Sequence, residues 1–370
     1  MTQTWNPGIE RPVTAVLLAG GKGTRFWPAS RSERPKQFLR PTGERTLLRA
    51  TWDRFVRLVG KERILVVTGP SLVPMTRHEL PELPPGNLVI EPSGRDTLPA
   101  AALGARSALE RDADPVLVVA PTDHAILDEG AFGEALARAL RAAGAGALVT
   151  FGVRPDRAAP EYGYIERAGD AEPDESAPVA RFHEKPSPAQ AAEYLAAGRF
   201  LWNAGIFAWR ARVFFERMRE ADAPLADAVA ALPPSARPDT PAWASFAEAW
   251  ERIPRISIDR ALMEKARGVR VVPLEAGWSD LGGWEALGAL GEHDADGNVT
   301  AKDALYVHAR DCAVHRHGGP GRGRVYALVG TENLIVVDTD DAVLICRRGA
   351  GESIRDVVLR LQAAGREDLL

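Results

Sequence analysis

The sequence predicts an α/β protein, a mostly parallel sheet with helices on both faces, followed by a small β-rich domain. Three observations carry that prediction. Short β-branched runs alternate with Ala-rich stretches of helical period through most of the 370 residues. Gly, Pro or Asp bounds each run, the punctuation expected of buried strands. Near 292–297 the helical patterning largely stops, and short strand-like runs separated by turns replace it. Strand–helix alternation produces a parallel sheet because each crossover lays a helix back on a sheet face. The length suits about two domains.

The strands of the first region are 13–18, 64–67, 88–90, 116–119 and 148–151. Between them, 46–59 places Leu48, Trp52, Phe55 and Val59 on one helical face, and 97–110 and 131–143 also read as helices. The polar or Pro-rich segments 168–178 and 232–241 read as surface loops. An amphipathic helix over 256–265 and a strand over 269–274 follow. In the β-rich region the strands are 304–308, 325–329, 334–337 and 343–346, closed by a helix over 352–363. This reading divides the chain into domains over 1–292 and 293–370.

A net charge of −4 gives no overall attraction to nucleic acid or to an anionic membrane. Phosphate chemistry would need local basic residues instead. No run approaches the roughly 18 apolar residues of a membrane helix, and the first dozen residues lack the basic-then-apolar order of a signal peptide. Cys312 and Cys346 lie in no CxxC, so a reducing cytoplasm is expected rather than a disulfide framework.

Ligands of such sheets bind beyond the carboxyl ends of the strands, and the chemistry-bearing segments lie there. LAGGKGTRFWPASRSERPKQFL, residues 18–39, follows the first strand. Gly20, Gly21 and Gly23 let backbone N–H groups approach a phosphate chain, while Lys22, Arg25 and Lys36 supply cations. It is neither a Walker A loop nor a dinucleotide fingerprint, since no Gly-Lys-Ser/Thr closes it and Phe26 replaces the third glycine. Past the strand at 116–119 stands Asp123, placed to hold Mg²⁺, an oxygen-preferring ion, or to cap the next helix. A second acid, Asp280, stands in the Gly-rich junction GWSDLGGW, 277–284. Cys312, His315 and His317 form a C-x₂-H-x-H cluster whose spacing suits no common structural zinc site.

Residues 18–39 resemble the sugar-1-phosphate nucleotidyltransferase signature GxGTRxxPxSxxxPKxxL, and the WPAS and PKQFL details resemble the mannose-1-phosphate guanylyltransferases. The resemblance spans about 13–360 and implies a Rossmann-like, GT-A-like catalytic domain and a β-helix-like C-terminal domain, without the isomerase domain of longer relatives. It implies that Gly20–Gly23 with Thr24 cradle GTP and that Arg25 and Lys36 clamp its phosphates, Arg25 assisting pyrophosphate departure. EPSGRDTLPA, 91–100, resembles the family's EPxGRNTAPA base pocket, with Arg95 present and Asp96 in place of Asn. A carboxylate there could accept from guanine's ring N–H and amino group.

PTDH and GWSDLGGW resemble the family's metal-binding pair, which implies that Asp123 and Asp280 share one Mg²⁺. FHEKP, 182–186, implies Glu184 at the sugar hydroxyls and Lys185 at the sugar phosphate. WNAGIF, 202–207, implies Asn203 bonding a hydroxyl from a strand edge, with Gly205 leaving room for the ring. The segment 154–165 keeps the Tyr-Gly-Tyr-Ile ending, with Gly163 on the sugar side, but has Pro160-Glu161 where Thr-Gly is expected. ISIDRALMEK, 256–265, resembles the family's SIDxAxMEK helix; Glu264 and Lys265 read as a solvated face that could support the site. NLIVVDT, 333–339, reads as structural.

The function these expectations describe is transfer of GMP from GTP to α-D-mannose 1-phosphate, with Arg25, Lys36 and Lys185 as the catalytic cations. The alternatives are another base or sugar, such as UTP or dTTP with glucose 1-phosphate, and a non-catalytic nucleotide-sugar sensor. The tail is expected to pack on the catalytic domain or to make a subunit contact, as in a homodimer.

Overall fold

The computed structural model describes residues 7–21, 23–41, 45–169, 175–317 and 324–370. Lys22, and 170–174 of the expected loop 168–178, therefore lie outside the described residues. The chain forms two compact units, one of Met1–Gly20, Thr51–Thr122 and Ile126–Trp278, the other of Gly21–Ala50, Asp123–Ala125 and Ser279–Leu370.

The first unit is built on a nine-stranded sheet. Its strands are β1 (Val13–Leu18), β2 (Ile64–Thr68), β3 (Leu88–Ile90), β4 (Val116–Pro121), β6 (Leu148–Val153), β7 (Tyr164–Arg167), β8 (Ala177–His183), β9 (Phe200–Arg210) and β10 (Val269–Pro273). Two-residue strands β5 (Ala125–Ile126) and β11 (Trp278–Ser279) stand outside it. The order is β3-β2-β1-β4-β9-β6-β10-β8-β7. β1 pairs parallel with β2 and β4, β2 with β3, and β6 with β10. The sheet is nevertheless mixed: β9 runs antiparallel between β4 and β6, and β8 antiparallel to both β10 and β7.

The apolar runs become strands because both faces of this sheet are covered. All five residues of β2 are buried, as are Ala15, Val16 and Leu17 of β1. Helix Thr97–Leu109 packs on β1 and β2, and helix Glu129–Gly144 on β6, β9 and β10. Trp52, Trp209 and Trp250 are fully buried, each contributing roughly 2–3 kcal/mol by leaving water. Two expectations change here. The segment 168–178 is not loop throughout, because β8 begins at Ala177 and pairs with β10. The helix expected over 256–265 is a π-helical turn, Asp259–Met263, closed by Glu264 N–H donating to the Asp259 carbonyl at 2.9 Å. Such five-residue rings cluster at functional sites.

The second unit contains the β-rich coils. β12 (Ala304–Val307) pairs parallel with β14 (Tyr326–Val329), and β13 (Ala313–Arg316) parallel with β15 (Leu334–Asp338). β16 (Val343–Arg347) closes antiparallel on β15. Parallel pairing of successive short strands makes this a coil of β-helix type. β13 is absent from the sequence expectation; its four residues, AVHR, are too short and too polar to signal a strand. The core joins Val299, Ala313, Ile335, Val337, Leu344 and Ile354 to residues far away in sequence, Phe26, Trp27, Leu39, Leu281 and Trp284. The segment after β1 thus folds with the C-terminal coils, because its aromatic residues have their apolar partners there.

Candidate functional site

The second unit gathers a cationic and acidic cluster. Gly23 has φ +54°, and a Cβ there would come within 2.4 Å of Lys36 Cβ, so only glycine lets the turn lie against the Lys36 backbone. The Gly23 carbonyl accepts from Phe26 N–H at 3.0 Å and Ser30 Oγ at 2.7 Å, closing the 3₁₀ turn Thr24–Phe26 on which Arg25 sits. Gly21 also has positive φ, +111°.

Lys36 is buried, and its Nζ donates to Asp123 Oδ2 at 2.9 Å and to the Asp280 carbonyl. One ammonium therefore ties together the two segments that carry the expected metal ligands. It also lies 5.9 Å from the Phe26 ring centroid, within cation–π range. His124 Nε2 lies 3.8 Å from the other Asp123 oxygen. Burial pushes the Asp123 carboxyl up, but the charges of Lys36 and His124 and the Lys36 hydrogen bond outweigh it, and the net shift is downward.

The first unit gathers a second, mostly acidic cluster. Asn203 lies within the sheet rather than on a strand edge, since it pairs with Gly152 of β6 and its N–H donates to the Gly163 carbonyl at 2.8 Å. Its Oδ1 accepts from Thr150 Oγ1 at 2.8 Å and Gly205 N–H at 3.2 Å, while its Nδ2 donates to Asp259 Oδ1 at 2.8 Å. Gly205 has φ +66°. At Gly163 a Cβ would stand 2.8 Å from Glu184 Oε2 and 3.4 Å from Asn203 Cβ, so the missing side chain is what admits that carboxylate. Glu184 N–H donates to Glu264 Oε1 at 3.1 Å, and Lys185, with φ +51°, sets its Nζ 3.6 Å from Glu184 Oε1. Lys265 pairs with Asp222 at 3.7 Å instead.

Burial raises the Glu184 carboxyl. Burial, then the neighbouring charge of Glu184, pushes Asp259 up to about 7. The departing loop is ordered by its own residues: Arg157 Nη2 donates to Glu161 Oε1 at 2.7 Å, and its guanidinium lies 5.1 Å over the Trp202 ring. Tyr162 packs edge-on against Trp202 and Trp278.

In the same unit, Asp96 has φ +71° and caps helix Thr97–Leu109, its Oδ1 accepting from Thr97 N–H at 2.7 Å. Arg95 pairs with Glu251, which also accepts from Ser93 Oγ at 2.6 Å. Glu91 is 6% exposed, and its Oε2 has no hydrogen-bond partner. A Cβ on Gly20 would meet Glu91 Oε1 at 3.3 Å, so the carboxylate lies at the end of β1. Burial pushes it up to about 7 despite a backbone hydrogen bond from Arg95. Sequence reasoning missed Glu91 and Asp259. The signal for both was an acid inside a quoted motif, EPSGRD and SIDRAL, but only burial without a cation distinguishes them from ordinary surface acids.

With this geometry in view, residues 14–297 match the family described as nucleotidyl transferase, and 302–361 match the MannoseP isomerase/GMP-like beta-helix domain. The chain is 38% identical over 358 residues to the xanthan biosynthesis protein XanB of Xanthomonas campestris pv. campestris, covering 96% of this chain and 74% of that protein. It is 36% identical over 360 residues to a mannose-1-phosphate guanylyltransferase of Escherichia coli, covering 95% and 74%. A solved structure from Thermus thermophilus, described as a mannose-1-phosphate geranyltransferase, superposes with TM-score 0.83 at 36% identity, covering 95% of this chain and 99% of that one. The parallel β-sheet with its antiparallel insertion, the glycine turn and the β-helix thus have a common source: the chain belongs to the nucleotidyl transferase family, in its mannose-1-phosphate guanylyltransferase branch.

Proposed function

We propose that this chain transfers GMP from GTP to α-D-mannose 1-phosphate, releasing pyrophosphate and forming GDP-mannose. The observation that carries the reading is the Lys36 ammonium bound to both the Asp123 carboxylate and the Asp280 carbonyl, in the unit that also holds the glycine turn and Arg25. Nucleotidyl transfer asks a protein mainly for positioning and for compensation of developing negative charge. Arg25 and Lys36 supply that compensation at the leaving pyrophosphate, and Gly20, Gly21 and Gly23 let the backbone approach the phosphates. The attacking oxygen belongs to an already anionic sugar phosphate, so no general base is needed.

Mg²⁺ suits the acids of the second unit. It is commonly held by one or two carboxylates together with substrate phosphates and waters, and Asp123, kept ionised by Lys36 and His124, meets that requirement with Asp280. When bound, the ion would neutralise phosphate charge in the transition state.

At the sugar, Glu184 and Asn203 take hydroxyls and Lys185 the phosphate. Asp259 holds Asn203 in orientation, so the amide presents one fixed face. At the base, the Glu91 carboxylate, whose Oε2 has no hydrogen-bond partner, suits guanine's ring N–H and amino group, two donors that adenine does not offer together. Arg95 and Asp96 order the loop beside it. A cytoplasmic location agrees with this substrate pair, and among the described residues no helix is long and apolar enough to cross a membrane.

The test is a matrix of the four nucleoside triphosphates against several sugar 1-phosphates, with pyrophosphate release measured. GTP with mannose 1-phosphate should exceed every other pair. Preference for UTP or dTTP with glucose 1-phosphate would replace this reading, and no release with any pair would favour a sensor.

A further inference from the structure

His315 and His317 belong to the C-terminal coils, yet both rings lie against Trp284. His315 stacks on it with centroids 5.3 Å apart and planes 28° apart, and His317 tilts against it at 5.2 Å. Trp284 in turn meets the edge of Phe26 at 5.0 Å, and its Nε1–H donates to the Trp27 carbonyl at 3.1 Å. Trp27 is pinned from its other end, its own Nε1–H donating to the Leu369 carbonyl at 2.9 Å. Phe26 is the ring beneath the Lys36 ammonium. Trp284 also closes the segment carrying Asp280, just past Leu281, a fully buried residue at φ +46°. A single indole therefore borders the Arg25 turn on one side and the Asp280 loop on the other.

We propose that His315 and His317 are positioning residues for nucleotide and cation binding: their rings hold Trp284 in the orientation that fixes Phe26, the Trp27 carbonyl and the Asp280 loop together. This rests on the reading of Arg25, Lys36, Asp123 and Asp280 given above. It assigns the β-helix coils a role in chemistry carried out on residues remote in sequence. Burial supports it, because it pushes both imidazoles down to about 4 and so keeps them neutral, aromatic plates near neutral pH. Burial and the nearby Arg348 and Arg34 charges both disfavour the imidazolium form. The cluster that resembled a zinc site by composition thus serves through its ring faces. Cys312, buried, hydrogen-bonds instead to the Arg310 carbonyl.

The experiment compares the full-length wild type with the His315→Ala/His317→Ala double variant and with His315→Phe/His317→Phe, which restores flat rings without nitrogen. kcat, KM for GTP, KM for mannose 1-phosphate, half-saturating Mg²⁺ and Tm are measured for each. The alanine variant should need several-fold more Mg²⁺ and GTP, and kcat should fall by up to about 10²-fold, the cost of small misplacements of reacting groups. KM for mannose 1-phosphate should stay put, and the phenylalanine variant should recover most of the loss. If the alanine variant does not fold, Trp284→Phe keeps a ring but removes the hydrogen bond to Trp27, and should shift Mg²⁺ and GTP requirements in the same direction by less. A folded variant with a lower Tm but unchanged Mg²⁺ and GTP requirements overturns the proposal, as does a loss that aromatic rings do not rescue. A wild type that prefers another nucleotide overturns the substrate reading alone, and the same comparison then runs with that nucleotide.

Discussion

The two clusters treat their carboxylates in opposite ways. In the second unit, Asp123 is held below its ordinary range because Lys36 and His124 outweigh burial. In the first, Glu91, Glu184 and Asp259 are all raised, burial being the largest cause for each. Under the proposed function Asp123 has to remain ionised to bind a cation among phosphates, and the buried Lys36 favours that state. On the same reading Glu91 and Asp259 need only accept hydrogen bonds, so both can sit at about 7, while Glu184 is raised by burial even with Lys185 beside it. The acid count of this chain, 50 Asp and Glu against 46 Lys and Arg, conceals that division of labour.

The comparison can be broken most decisively at the charge-compensating end. Arg25→Ala should lower kcat by roughly 10²–10³-fold, the range for removing one transition-state donor. Its Tm should stay close to the wild-type value, since Arg25 sits on a 3₁₀ turn rather than in a core. Wild-type turnover would remove Arg25 from the mechanism. Next in size, Asp280→Asn should raise half-saturating Mg²⁺ by on the order of tenfold, the scale for disturbing the surroundings of a metal. An unchanged requirement would leave Asp280 as a backbone acceptor for Lys36 and nothing more.

At the other end, Glu91→Gln should raise KM for GTP by roughly tenfold and narrow the preference over ATP, because one of two acceptors is lost. The wild type adds a pH signature. Glu91, at about 7, is protonated below that pH and ionised above it, so KM for GTP should fall as pH rises through about 7. The Gln variant should show a flat profile over the same window, and a persistent inflection would point to another group.

The smallest effect concerns stability. Asp259 is raised to about 7 from 3.8, so the folded state holds its proton where the unfolded chain has released it. Wild-type stability therefore declines as pH climbs from about 4 to about 7 and then levels off. Asp259→Asn escapes that decline and should be more stable at pH 8 by on the order of 2 kcal/mol, allowing for partial solvent contact, with the advantage gone near pH 4. Equal denaturation midpoints at pH 8 would show that Asp259 is solvated or compensated in the folded state.

Much of the first unit was legible because its signals are local. The runs at 13–18, 88–90 and 116–119 sit within β1, β3 and β4, and the helix expected over 97–110 is Thr97–Leu109. Where the reading slipped, non-local pairing decided. β8 is recruited at Ala177 by β10, some ninety positions on, and β13 exists because β15 offers it a parallel edge. Asn203 lies mid-sheet because β9 runs on between β6, which meets it at Gly152, and the Gly163 backbone leading into β7, which no property of WNAGIF announces.

Periodicity, turn glycines and the charge of short motifs act over a few neighbouring residues, and from these followed the fold class and the segments in which to look, while the family followed from the resemblance of those segments to a known signature. Burial and partnership depend on what distant chain brings alongside. Only the tertiary structure therefore decided that Lys36 bridges Asp123 and the Asp280 carbonyl, that Glu91 and Asp259 are acids near neutrality, and that two histidines of the C-terminal coils rest on the tryptophan beside the glycine turn.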